Sequence, residues 1–494
     1  MDFFSGFGLL YVITVWFTII IVFLENREPS KTALWIIVLA FLPGIGFLLY
    51  LLFGENVRSK QYICAQKVAE NFLESGELKD VVKFERLVDK QRKLAESEMI
   101  FQNEDQKVIR LILNAGGLPV TKNNHVTLFK EGVEKFHHLL EDIERAEKHI
   151  HMEYFIIKNS EIGRKIRDAL IRKAQQGVEV RLIYDDVGCR NLYQNPEFFR
   201  GMREAGCEIS SYFLEKFPYI YRNINRRDHR KVVIIDGKVG YIGGINIGDE
   251  YIHKSKKFGF WRDTHLRIEG EAVYSLQLTF LLAWYMLTEE KIQTVDLFPE
   301  FENQSDENKS DRSVVQIATS EASTPQETIY QAYFSGIGSA EETICIQTPY
   351  FVPDEALLTA LKTALLSGVK VKIMFPSFPD HFVVYHASHS YLEEVMELGA
   401  EVYFYKKGFL HSKVLVVDHS FASVGTLNMD IRSFSTNAEI NAFLYDDDTV
   451  DELYNMFQED LKDCIKVEYA QYKKKKSFFK KMLEGFCRLF SPLL

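Results

Sequence analysis

Cysteine is sparse in this chain: six residues in 494 (Cys64, Cys189, Cys207, Cys345, Cys464, Cys487), with no CxxC pair among them. Spacing that wide supports neither a zinc framework nor a dense disulfide scaffold, and it fits reduced thiols in a cytosol-facing protein. Positive charge is also short, since 59 Lys and Arg against 69 Asp and Glu leave a formal net charge of −10. Nucleic-acid binders usually carry a basic excess, so a nuclease and a nucleic-acid partner are disfavoured, although a local basic stretch can still meet a phosphate. The opening Met1-Asp2 lacks the basic segment of a secretory signal and no A-x-A site follows, which argues against a cleaved leader. Metal-ligand spacing is missing too. His381, His386 and His389 have no Cys or carboxylate partners arranged to help, so no metal or cofactor is expected, and the three are read as a substrate-facing loop and helix start.

What the chain does have begins with two long apolar runs. Phe7 to Leu24 gives 18 positions without a charge and Ala33 to Phe53 gives 21, separated by the polar loop Glu25 to Thr32. Both lengths suffice to cross a hydrocarbon core, so residues 1–58 are expected to form a transmembrane hairpin in the cell membrane. Arg58, Lys60 and Lys67 slightly outnumber Arg27 and Lys31, a small excess that favours a cytoplasmic position for the body of the chain. At the other end, residues 471–494 run from Lys473-Lys474-Lys475-Lys476 into Phe478, Phe479, Lys480, Lys481, Met482 and Phe486. Basic and bulky apolar residues at helical spacing suit a helix lying on anionic lipid; a solvated tail ending in a docked helix is the alternative.

Between these ends, residues 59–115 read as a helical connector, 116–300 as a first α/β domain, 301–313 as a polar linker and 314–470 as a second α/β domain. The two domains resemble each other. Ile150 to Phe155, Gly177 to Ile183 and Ala205 to Ile209 in the first match Ile344 to Gln347, Gly368 to Met374 and Leu398 to Val402 in the second. Strands alternate with amphipathic helices in the same order, so the expected fold is a duplicated mixed sheet flanked by helices, with a period near 180 residues.

Each domain then reaches the same motif. His229-x-Lys231 is followed by Asp236 and later Asn246; His411-x-Lys413 is followed by Asp418 and later Asn428, with 17 residues from His to Asn in both. One HxKxxxxD is a weak signal, but two in duplicated contexts are strong. The β-branched run after each lysine reads as a strand, in which His and Lys two apart share a face and the Asp, at an odd offset, points away and braces the motif. Phosphodiesters are anionic, so two lysines and two asparagines suit the non-bridging oxygens. One imidazole can then attack phosphorus while the other handles the leaving and entering alcohols. Glu439, 28 residues after His411, and Asp263, 34 after His229, are the candidates to orient the histidines.

On these residues the chain resembles the phospholipase D superfamily and, within it, the bacterial cardiolipin synthases. The likeness extends over Leu42-Pro43-Gly44-Ile45-Gly46, Asp236 to Tyr251, Gln347 to Asp354, Gly425 to Phe434 and Arg488 to Leu494. It implies two duplicated phospholipase D-like domains and a metal-free exchange in which two phosphatidylglycerol molecules yield cardiolipin and glycerol through a phosphohistidine. It also implies His229, Lys231, Asp236, His411, Lys413 and Asp418 as the site set, with phosphatidylglycerol and anionic membrane lipid as partners. The chain departs from the usual pattern at Ser320-Glu321-Ala322-Ser323, at Ala283 and at Asn437-Ala438-Glu439. A hydrolase or a transferase with another acceptor would use the same first step, and a non-catalytic membrane scaffold is the reading from another class.

Overall fold

The computed structural model describes residues 106–494 apart from 117, 213–225, 291, 293–296, 300–311 and 322–326, with isolated positions before them (16, 20, 35–39, 41, 42 and 46). The two apolar runs expected to form the hairpin therefore lie almost wholly outside the described residues, as does most of the expected connector. Among the described residues no helix is long and apolar enough to cross a membrane.

The first half contributes β1 (Val120–Phe129), β2 (His149–Tyr154), β3 (Glu179–Asp185), β4 (Glu208–Tyr212), β5 (Lys231–Ile235), β6 (Val239–Gly243), β7 (Phe260–Arg262) and β8 (His265–Gly270). The second contributes β9 (Ser313–Ser320), β10 (Thr343–Gln347), β11 (Phe351–Val352), β12 (Lys370–Pro376), β13 (Glu401–Tyr405), β14 (Gly408–Leu410), β15 (Val414–Val417), β16 (Phe421–Gly425), β17 (Met429–Asp430), β18 (Glu439–Leu444) and β19 (Cys464–Lys466). Fifteen of these strands form one sheet. Outward from its centre the order is β1-β8-β6-β5-β2-β3-β4 on one side and β9-β18-β16-β15-β10-β12-β13-β19 on the other. The duplication expected from the sequence is thus present strand for strand, with β19 added at one edge.

The two halves join where β1 runs antiparallel to β9, pairing Val120 with Gln316, Thr121 with Val315 and Asn124 with Ser313. The register shifts between Thr121 and Asn124, and the buried Asn124 amide fills the irregularity, donating to Thr121 Oγ1 (3.0 Å) and to the Ser313 carbonyl (3.1 Å) while accepting from the Ala272 N–H (2.8 Å). Central strands such as β5 (Lys-Val-Val-Ile-Ile) and β15 (Val-Leu-Val-Val) are buried along their whole length, because helices cover both faces of the sheet. On one face the helices Val273–Thr288 and Asp447–Asp460 build a single core that continues under both halves, from Ile234, Leu276 and Phe280 to Val416, Leu453 and Phe457. On the other face each half has its own core. Helix Gln106–Gly116, at the end of the expected connector, packs on helix Thr328–Ser339 and β9 of the second half, and Ser313, the last residue of the expected linker, already opens β9.

The hairpins that follow the motifs turn tightly. Asp236 and Gly237 take φ of 53° and 65°, and Asp418 and His419 take 49° and 56°, so the second turn holds two non-glycine residues in the left-handed region. Each aspartate is tied down by the start of a neighbouring strand. Asp236 accepts the N–H groups of Glu147, Lys148 and His149 at 2.7–2.9 Å, and Asp418 those of Glu341, Glu342 and Thr343 at 2.5–2.8 Å.

Two buried arginines bind the halves to each other. Arg262 pairs with Asp460 at 2.7 Å, and Asp460 also accepts from Gln347 at 2.8 Å. Arg230, fully buried, meets Glu153 at 2.7 Å and Asp228 and Glu321 at 3.0 Å each. Three carboxylates exceed what one guanidinium can neutralise, and burial pushes the Glu153 carboxyl well above its usual range, which favours its neutral form. At the matching place in the second half stands Gln347, a neutral group of the same shape. Glu153→Gln is therefore expected to change unfolding stability by less than about 1 kcal/mol, whereas Arg230→Leu, which strands buried carboxylates, should cost about 3–5 kcal/mol in denaturant titrations. An equally large loss in both variants would mean that Glu153 is ionised.

Candidate active site

The sequence pattern puts each histidine on a strand with its lysine, but the structure does not. His229 lies two residues before β5 and His411 three residues before β15. The reason is that their main chains pair elsewhere. The His229 N–H donates to the Ala438 carbonyl at 2.9 Å, and the Ala438 N–H returns a bond to Arg227 at 2.8 Å. The His411 N–H donates to the Arg262 carbonyl at 2.7 Å, continuing the parallel pairing of β14 with β7. Each histidine is thus threaded against a segment of the opposite half.

Those opposite segments carry the two candidate carboxylates. Counting offsets within each half suggests Asp263 beside His229 and Glu439 beside His411, but the pairing is crossed. His229 Nδ1 lies 2.9 Å from Glu439 Oε2, and His411 Nδ1 lies 2.8 Å from Asp263 Oδ2. Both carboxylates are fully buried and held by further donors. Glu439 accepts from Thr426 Oγ1 (2.6 Å) and Asn437 Nδ2 (3.1 Å), while Asp263 accepts from the Thr264 N–H (2.8 Å) and, at 3.5 Å, the Trp261 indole. The motif position that holds Thr426 in the second half holds Gly244 in the first. A Cβ at Gly244 would stand 2.0 Å from Asp263 Oδ1, so only glycine leaves room for this carboxylate.

Lys231 and Lys413 are buried beside their histidines. Lys231 donates to the His229 carbonyl, and Lys413 Nζ sits 3.0 and 3.2 Å from the two ring nitrogens of His411. Burial pushes both ammonium groups down, Lys231 to about 7 and Lys413 to about 8. Burial also lowers both imidazoles, with Lys231 and Lys413 adding to the effect on His229 and Lys413 to that on His411. Burial works to raise Asp263, yet Lys413 and His411 outweigh it and keep its carboxyl below the usual range. For Glu439 burial prevails and raises the carboxyl to about 7. The two halves of the site are related by sequence but not equal in charge.

Asn246 and Asn428 sit beside this cluster with different obligations. Asn246 accepts from the Ile156 N–H (3.0 Å) and donates to Tyr251 (3.0 Å), which leaves one amide hydrogen. Asn428 makes one long contact to Ser433 (3.4 Å), and its buried Oδ1 has no partner among the described residues. Asp236 and Asp418 stand at the far ends of β5 and β15, engaged with main-chain N–H groups. Phe155 meets the His229 ring edge-on at 5.0 Å, and Trp261 lies 5.2 Å from the His411 ring.

The three clustered histidines divide. His381 precedes helix Phe382–Glu397, in the loop with Asp380, which accepts from Tyr350. His389 is buried away from that loop against Tyr472 (2.9 Å), which corrects the reading of all three as substrate-facing. Among the described residues no set of three or more His, Cys, Asp or Glu is grouped so as to hold a metal ion. Thr426, Asn437, Trp261 and the Arg230 and Arg262 networks escaped the sequence reading. Thr426 and Asn437 lie within the quoted strings next to Asn428 and Glu439, but nothing local in the chain announces a contact across halves.

Comparison with known proteins agrees with this architecture. A family model described as "Cardiolipin synthase, PLD-like domain" matches residues 139–260 and 333–461, once in each half. A second, described as "Phospholipase_D-nuclease N-terminal", matches residues 12–55. The chain is 41% identical to a cardiolipin synthase of Halalkalibacterium halodurans over 99% of its own length and 94% of that protein's. It is likewise 41% identical to the major cardiolipin synthase ClsA of Bacillus subtilis, over 99% of this chain and 98% of that one. Among solved structures, a phosphatidylserine synthase of Haemophilus influenzae shares the fold with a TM-score of 0.60 at 16% identity, covering 78% of this chain and all of that one. With the paired motifs, the strand-for-strand duplication and full-length relatives all in agreement, the chain belongs to the bacterial cardiolipin synthase family of the phospholipase D superfamily.

Proposed function

We propose that this protein is a phosphatidyltransferase that moves a phosphatidyl group from one phosphatidylglycerol to the hydroxyl of another, giving cardiolipin and glycerol. The observation that carries the reading is the crossed pair of imidazole–carboxylate contacts with two buried lysines, in a chain similar over its full length to cardiolipin synthases. His229, Lys231, Asp236, His411, Lys413 and Asp418 form the proposed site set, with Asn246 and Asn428 as phosphate ligands and Asp263 and Glu439 as orienting carboxylates.

In the first half-reaction a neutral imidazole attacks phosphorus, a P–N bond forms and the P–O bond to glycerol breaks. The second imidazole, protonated, gives its proton to the departing alkoxide. In the second, that imidazole takes the proton of the incoming hydroxyl as its oxygen displaces the histidine, which restores both rings. Burial and the lysines lower both imidazoles, as attack requires of His229, while the charge and hydrogen bond of Asp263 oppose that shift at His411. Asp263, kept ionised, suits His411 to the imidazolium role, which leaves attack to His229. Lys231 and Lys413 neutralise the non-bridging oxygens, and Asp236 and Asp418 hold the strands behind them. The proposed setting is the cell membrane, with residues 1–58 as a two-span hairpin and the body on the cytoplasmic side; the family model over residues 12–55 is compatible with it.

Purified protein in phosphatidylglycerol vesicles should release cardiolipin and glycerol in equal amounts by lipid mass spectrometry, and His229→Ala or His411→Ala should lower this by at least about 1,000-fold. Phosphatidic acid as the main product would replace transfer with hydrolysis. Lysine is charged below its pKa, so kcat/KM should fall as pH rises through about 7 to 8, where Lys231 and Lys413 lose their protons in the free enzyme; a flat profile across that range would exclude them as the phosphate clamp. The crossed pairing predicts that Asp263→Asn lowers the pKa of His411 in imidazole NMR titrations and leaves His229 in place. A shift in His229 alone would restore pairing within each half.

A further inference from the structure

The helix Phe478–Arg488 leaves most of its bulky apolar side chains outside. The side facing the protein is mixed: Cys487 is buried and Leu483 packs beside it, Glu484 is 1% exposed and pairs with Lys476, and Arg488 pairs with Glu394, donates to Ser390 (3.1 Å) and stacks on Tyr391 at 4.0 Å. The side facing outward carries Phe478, Phe479, Met482 and Phe486, with Leu489 just beyond the helix; Phe479 is 82% exposed. A docked helix ordinarily buries its apolar stripe. Here ion pairs, together with Cys487 and Leu483, hold the helix against Phe382–Glu397 and leave the larger apolar stripe outside, a patch of the kind that marks an interaction surface.

Charge identifies the occupant. The chain as a whole is acidic, yet from Lys473 to Arg488 the only acid is Glu484, which faces inward. Lys474, Lys475 and Lys481 are exposed and form no ion pair among the described residues. Cations bordering an apolar stripe match an anionic bilayer, whose headgroups attract the lysines while the acyl boundary takes the aromatic rings. The patch also leads to the site. Lys480 acts electrostatically on His386, whose ring lies 4.4 Å from that of Phe382. Phe382 and Val383 are themselves exposed, and they follow Asp380, whose charge reaches His411 and Lys413.

We infer that the outer face of Phe478–Leu489, extended by Phe382 and Val383, docks on an anionic lipid surface and keeps the chain on the bilayer that carries its substrate. The gain for catalysis rests on the lipid-exchange reading above, but the docking itself does not.

The test uses the full chain reconstituted in brominated phosphatidylcholine vesicles, with no phosphatidylglycerol or about one third of it. Phe479→Trp should show quenching above that of the parent chain, increasing about 2-fold with the anionic lipid. Quenching equal to the parent's in both vesicles would overturn the proposal, as would a face buried by a second copy or by the chain's own first hundred residues in lipid-free detergent. In parallel, the triple variant Phe478→Ser, Phe479→Ser, Met482→Ser should keep turnover of dispersed short-chain phosphatidylglycerol within about 2-fold. On vesicles it should raise the surface KM about 10-fold at unchanged kcat. Equal loss on both substrates would mean that the helix only supports the fold. Should the parent turn over neither substrate, the function proposed above fails, while the quenching result still decides the docking.

Discussion

Each imidazole of the site is held by a carboxylate from the opposite half, at 2.9 Å for His229 and Glu439 and 2.8 Å for His411 and Asp263. Hydrogen bonds need both the right separation and a near-linear approach, so the two halves must keep register with each other for these contacts to form. Much of the remaining architecture serves this demand. The sheet continues from β1 to β9, one core runs beneath both halves, and the buried Arg262–Asp460 and part-buried Arg230–Glu321 pairs cross between them. Replacing such buried pairs by apolar groups is often neutral for stability, so their distinctive contribution here is alignment rather than energy.

The same crossing explains how two copies of one motif come to differ. Thr426 adds a hydroxyl to the longer Glu439, whereas Gly244 clears space for the shorter Asp263. With Lys413 near Asp263 and burial dominant at Glu439, one carboxyl stays ionised and the other rises to about 7. In the proposed exchange the two imidazoles take different roles, and the unequal carboxylates beside them give each ring different surroundings.

Much of this was legible in the chain. The repeat of strand and helix, the two HxKxxxxD motifs and the identities of Asp263 and Glu439 follow from periodicity and residue chemistry, because local patterns record which faces are buried. What was not legible is long-range pairing. The β-branched runs after Lys231 and Lys413 invite extension of the strands back to the histidines, yet His229 and His411 pair with Ala438 and Arg262 instead, more than a hundred residues away. Spacing within a half carries no information about which half supplies a partner. For the tail, the sequence offered lipid contact or a docked helix as alternatives, and the structure shows the helix docked through Glu484, Cys487 and Arg488 with its larger apolar residues left outward.

The join between β1 and β9 has a consequence for how such a protein ages. Its register is interrupted between Thr121 and Asn124, and the patch is sustained by the Asn124 amide rather than by an even ladder of main-chain bonds. A slight opening of this join would leave most of the shared core packed while drawing both carboxylates off their histidines. Chemistry would then fail before structure does, and a preparation could keep its spectrum and its solubility long after its turnover had gone.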